Sequence, residues 1–62
     1  MKAKLYDYEK KETREIDTHC LSLLEWVQVN FAGWGFYKIK RIEKNSYEII
    51  EKFTNQTVYK IN

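Results

Sequence analysis

Between Asp17 and Gly33 the apolar residues recur at helical spacing. Cys20, Leu24, Val27 and Phe31 fall at i, i+4, i+7 and i+11, with Leu21 and Leu23 beside them. The pattern predicts a helix from Thr18 to Phe31. Asp17 or Thr18 can cap its start, Ser22 with Glu25 offers an internal capping box, and Gly33 follows the last periodic residue as a stop. From Phe36 onward the period shortens to two. "FYKIKRI", "YEIIEKF" and "TVYKI" are separated by the turn stretches "EKNS" and "TNQ", which predicts a three-stranded antiparallel meander. The segment before the helix, "AKLYDYEKKETREID", is polar, with Leu5 and Ile16 as its main aliphatic anchors.

Charge sharpens the strand registers. A turn through Lys10-Lys11 sets Leu5 opposite Ile16, Asp7 opposite Arg14 and Lys4 opposite Asp17, so opposite charges face across the ladder. In the meander, pairing Ile42 with Tyr47 sets Lys38 opposite Glu51 and Arg41 opposite Glu48. Pairing Phe53 with Val58 then sets Glu51 opposite Lys60 and Ile50 opposite Ile61. The expected order is β-β-α-β-β-β: one α+β domain spanning residues 1–62, a single helix packed on an antiparallel sheet. With 62 residues and no proline, the chain has no room for a linker. A core this small supplies about 3–5 kcal/mol, and ten aromatic residues carry much of it.

Those registers divide the meander into two faces. One holds Phe36, Lys38, Lys40, Ile42, Tyr47, Ile49, Glu51, Phe53, Val58 and Lys60. The other holds Tyr37, Ile39, Arg41, Glu48, Ile50, Lys52, Tyr59 and Ile61. Both are mixed, although a single helix covers only one face of a sheet. Either twist and long Lys and Tyr side chains hide the excess apolar surface, or the uncovered face meets a macromolecular partner. On the second reading the contact residues are Trp34, Tyr37, Lys38, Lys40, Arg41 and Tyr59, since Tyr, Trp and Arg dominate binding hot spots. Trp34, held between Gly33 and Gly35, reads either as a core plug under the helix end or as an exposed anchor.

Little in the sequence points to catalysis. His19 and Cys20 are the sole residues of their types and sit side by side, about 100° apart on a helix, where they converge poorly on a metal. No phosphate-binding glycine loop occurs, and no catalytic residue, metal or cofactor is expected. The single cysteine excludes an internal disulfide framework. Asn55-Gln56-Thr57 matches a glycosylation sequon but reads more simply as a turn. Without a signal-like apolar run or a membrane-length apolar segment, the expected location is cytoplasmic, with no membrane partner. The net charge of +2 is uneven. Met1 to Asp17 balances five bases against five acids, whereas the stretch from Tyr37 holds six bases against three acids. That excess is mild beside a dedicated nucleic-acid binder.

The stretch "LLEWVQVNFAGWGFYKIKRI" resembles the corresponding region of the small host RNA polymerase inhibitors of T-odd podophages. The resemblance rests on Glu25-Trp26, Ala32-Gly33 and the strand residues Phe36, Lys38, Ile39, Arg41 and Ile42, about a third of the chain. Those inhibitors also set a charged hairpin before a short amphipathic helix, a glycine turn and a Phe-led basic strand. This chain departs by inserting Trp34-Gly35 and by adding two further strands. The resemblance implies a small non-enzymatic phage or mobile-element protein that binds and inhibits a larger host enzyme, with Arg41 and its strand neighbours as contacts. Two other readings stand beside it: a nucleic-acid-binding module on the same aromatic and basic surface, and a structural homodimer.

Overall fold

The computed structural model describes residues 2–62, the side chain of Trp34 excepted. Two strands, β1 (Lys2–Asp7) and β2 (Glu12–Asp17), precede the helix α1 (Leu23–Phe31) and a 3₁₀ turn (Ala32–Trp34). The strands β3 (Tyr37–Glu43), β4 (Ser46–Glu51) and β5 (Thr57–Ile61) follow. The α+β order expected from the sequence is the order observed. All five strands form one antiparallel sheet in the order β2-β1-β5-β4-β3, so the first strand lies between its hairpin partner and the last strand.

The helix is shorter than its periodicity implied, and it is turned about its axis. Ser22 caps it. The Ser22 hydroxyl accepts from the Glu25 N–H, and the Glu25 carboxylate accepts from the Ser22 N–H, both at 3.2 Å. This internal capping box wins over Asp17 and Thr18 because the chain before it is bent out of helical geometry. Asp17 Oδ1 accepts from the His19 N–H at 2.8 Å, His19 adopts φ 56°, and Thr18 is buried in the turn. Starting the helix at Leu23 moves the buried stripe to Leu23 and Val27, with Trp26 and Phe31 half-buried beside it. Leu24 is 40 % exposed and Cys20 is exposed, against the expected phase. Beyond the helix Gly35, not Gly33, takes the left-handed conformation, at φ 74°.

The three hairpin registers also move, and their turns explain why. In β1–β2 the Asp7 carboxylate accepts from the N–H groups of Glu9 and Lys10, and Lys11 takes φ 54°. The loop therefore spans residues 8–11, and Leu5 faces Arg14, Ala3 faces Ile16 and Lys2 faces Asp17. That slip of two leaves every side chain on its expected face. In β3–β4 the expected register holds beside the turn, where Glu43 faces Ser46 across Lys44-Asn45. A bulge at Ile42 then displaces the rest by one: Lys40 faces Glu48, Lys38 faces Ile50 and Ile39 faces Ile49. In β4–β5 the loop is longer than "TNQ". It spans residues 52–56, closed by Asn55 N–H to the Glu51 carbonyl at 2.8 Å and Glu51 N–H to the Gln56 carbonyl at 2.9 Å. Phe53 sits in this loop, 78 % exposed, and Tyr47 faces Ile61 while Glu48 faces Lys60.

Both slips in the meander are odd, so β4 alone is turned over relative to expectation. Tyr47 and Ile49 join Tyr37, Ile39, Tyr59 and Ile61 beneath the helix, and Glu48 and Ile50 go to the opposite face. Turning β4 over gathers most of the apolar residues of the meander on the helix side, though Arg41 stays there and Ile50 goes to the open face. The core is Ala3, Leu5, Leu23, Val27, Tyr47, Ile49 and Ile61. An aromatic rim borders it, with the Phe31 ring 5.6 Å from Tyr37, 5.5 Å from Tyr59 and 6.2 Å from Trp26.

Candidate partner interface

The helix-free face of the sheet is assembled by the registers. A row runs straight across all five strands: Thr13 on β2, Tyr6 on β1, Lys60 on β5, Glu48 on β4 and Lys40 on β3. Above it Lys38 lies opposite Ile50, and below it Lys4 lies opposite Glu15 and Lys2 opposite Asp17. The Tyr6 and Tyr8 rings meet edge to face at 4.9 Å. Lys2 Nζ also lies 3.4 Å from Glu15 Oε1, both side chains being mostly exposed. Such an exposed pair contributes at most about 1 kcal/mol.

Five lysines (Lys2, Lys4, Lys38, Lys40 and Lys60) thus share the open face with three carboxylates (Glu15, Asp17 and Glu48). The face is basic without being uniformly so. The His19 N–H bonded to Asp17 holds that carboxyl below the ordinary carboxylate range, so it is ionised at neutral pH. Glu48 lies between Lys40 and Lys60 and breaks the positive row at its centre.

The residues singled out from the sequence do not share one surface. Lys38 and Lys40 lie on the open face and are exposed. Tyr37 and Tyr59 lie half-buried on the helix side, against Phe31. Arg41 faces Tyr47 in register, which is the helix side, but at an exposed position of the outermost strand. The side chain of Trp34 lies outside the described residues. Lys2, Lys4, Tyr6 and Lys60 complete the open face and were not among the expected contacts. Their signal is the pairing of β1 with β5, which joins the first strand to the last and which local patterning does not announce.

On the helix side, where α1 stops short of β2, a cleft of about 350 Å³ opens between Trp26, Phe31, Tyr59, Leu5 and Arg14. Burial pushes the Tyr59 hydroxyl above the ordinary tyrosine value, and the nearby Asp7 carboxylate adds to the effect. Among the described residues no group of three His, Cys, Asp or Glu side chains could hold a metal ion. Nor, among the described residues, is any helix long and apolar enough to cross a membrane. No protein family, curated protein or solved structure matches the chain.

Proposed function

We propose that this domain is a small non-enzymatic protein-binding inhibitor or regulator of a larger host enzyme, encoded by a phage or mobile element. It acts in the cytoplasm and docks through the open face of its sheet. The observation that carries the docking surface is the unbroken row Thr13, Tyr6, Lys60, Glu48 and Lys40. An interrupted positive row suits a protein surface that is mainly acidic and itself carries both signs, because complementary potentials set register and suppress wrong partners. The host enzyme and the phage origin rest on the resemblance of residues 23–42 to the podophage polymerase inhibitors.

A nucleic acid is the second reading, supported by the Tyr6–Tyr8 pair beside lysines, since stacking and phosphate contacts cooperate on single strands. Glu48 in the middle of the row opposes it. The test is affinity capture from the host, followed by lysine cross-linking of the captured complex. Cross-links and protection are expected at Lys4, Lys38, Lys40 and Lys60, and Lys40→Glu with Lys60→Glu should abolish capture. A complex whose contacts lie wholly on the helix side overturns the docking surface. Sub-micromolar binding to single-stranded oligonucleotides at physiological salt transfers the face to the nucleic-acid reading.

A further inference from the structure

One side of the sheet ends in β3, and a single bond sets the hydrogen-bonding phase of that edge. The Lys52 N–H donates to the Phe36 carbonyl at 2.9 Å, one step beyond the pair Tyr37–Glu51. Hydrogen-bonded and non-hydrogen-bonded pairs alternate along an antiparallel ladder. Phe36, Lys38 and Lys40 therefore turn their main-chain groups inward to β4, and Tyr37, Ile39 and Arg41 turn theirs outward. Among the described residues no other hydrogen bond engages those outward groups. The bulge at Ile42 ends the regular stretch, so residues 37–41 offer an unpaired ladder of ordinary strand length.

The charges of this stretch decide what can pair with it. Lys38, Lys40 and Arg41 are exposed, and among the described residues none of them forms an ion pair. Lys38 and Lys40 stand on the open side and Arg41 on the helix side, so the edge is positive on both. Glu43, the sole acid of β3, lies past the bulge. Lysines guard an edge against strands of its own kind. Antiparallel registers of two β3 strands centred on Lys38, Ile39 or Lys40 each set lysine opposite lysine, which is destabilising. An acidic strand meets the reverse condition at the same positions. It also continues the row across the open face, where Lys60, Glu48 and Lys40 already alternate in sign.

We propose that β3 takes up an extended acidic segment of the protein partner as an added strand, antiparallel like every other pair in the sheet. The inference rests on the reading of this domain as a protein-binding one and names the form in which the partner is held. From its N-terminus the segment carries acids opposite Arg41 and Lys40, then an apolar residue opposite Ile39. An acid opposite Lys38 and an apolar residue opposite Tyr37 follow, because Ile39 and Tyr37 are half-buried on the helix side. Main-chain bonds to Tyr37, Ile39 and Arg41 supply affinity, and the alternate side chains supply selection.

The probe is the end-blocked peptide Thr-Glu-Glu-Val-Glu-Val-Thr, titrated into the isotopically labelled chain. Saturable shifts of the β3 amide resonances are expected. Hydrogen exchange should slow at the outward N–H groups of Tyr37, Ile39 and Arg41 and change little at the inward ones of Lys38 and Lys40. Lys38→Glu with Lys40→Glu should weaken the peptide by about tenfold or more and bind instead the analogue with lysines for glutamates. A folding defect would not exchange one preference for the other. In capture from the host, Arg41→Pro should recover far less partner than Arg41→Ala. Both lose the cation, and only proline loses the outward N–H, at a position where edge strands accept it. Three results of the titration overturn the strand addition: no saturable shift up to about 1 mM peptide, shifts without protection of the outward amides, or protection by a single-stranded oligonucleotide in place of the peptide. Dimerisation of the chain through β3 overturns it as well. Should Arg41→Pro capture as well as Arg41→Ala while Lys40→Glu with Lys60→Glu abolishes capture, strand addition fails and the docking face stands. Capture retained in all of these variants removes the docking face too.

Discussion

The two faces of the sheet come from the same five strands and the same alternation, yet their environments are opposed. The helix side holds Leu5, Ile49 and Ile61, each at most 1 % exposed, and closes with rings that touch Phe31. The open side holds five lysines, three carboxylates and the Tyr6–Tyr8 pair. Polarity alone does not separate them, because tyrosines stand on both. What separates them is the seating of α1, a nine-residue helix too short to be stable by itself. The helix and the apolar face hold each other in place, and the open face contributes little to that bargain. Stability and partner binding should therefore respond to different mutations.

The largest effect is expected in the helix. Leu23→Ala should cost roughly 2–5 kcal/mol, the range for emptying a core leucine site, while the adjacent Leu24→Ala should stay near 1 kcal/mol or below because its side chain already meets water. Thermal or urea unfolding of the two variants measures the difference, and equal losses would contradict the observed helix phase. Tyr37→Ala should come next, at about 2 kcal/mol. That is part of the cost of removing a fully buried aromatic, reduced because the ring is half-buried. A Tyr37→Ala protein with unchanged melting but impaired partner capture would return Tyr37 to the binding surface.

Tyr59 gives a smaller effect that depends on pH. Its hydroxyl is held above the ordinary tyrosine value of 10.0, chiefly by burial. Between the unfolded and folded values the unfolded chain has lost this proton and the folded chain keeps it. Unfolding then releases a proton, and stability falls as pH rises from about 10. Tyr59→Phe has no proton to lose, so its melting temperature should decline less steeply than wild type above that pH. Matching alkaline profiles would show that Tyr59 is not the group responsible. Smallest of all should be Lys40→Ala, within about 0.5 kcal/mol in stability, as for most surface sites, with its effect confined to partner capture.

The registers show where sequence reasoning succeeds and where it stops. The β1–β2 pairing was displaced by two residues and still kept every side chain on its proper face, because strand geometry repeats every two residues. The β3–β4 pairing was correct beside its turn and wrong beyond it, since nothing about Ile42 distinguishes a bulge from a regular strand position. Cross-strand charge matching also misled. Lys38 opposite Glu51 was as plausible as Lys40 opposite Glu48, and exposed charge pairs are too weak to select a register. Tyr47 and Ile49 select it instead, by the apolar surface they bury against Leu5, Val27 and Ile61. On the open face, the alternation of β3 already set Lys38 beside Lys40, whereas Lys4, Tyr6 and Lys60 become neighbours only when β1 enters the sheet beside β5.

By itself the sequence determined the order of elements, the capping box at Ser22 and the alternation within each strand, because these depend on residues a few positions apart. Only the tertiary structure decided which face of β4 is buried, which stripe of the helix meets the sheet, and which lysines share a surface. Those outcomes depend on loop lengths, two register shifts and the burial of α1 against distant strands. A single-residue slip there reverses a whole strand while leaving the local pattern unchanged.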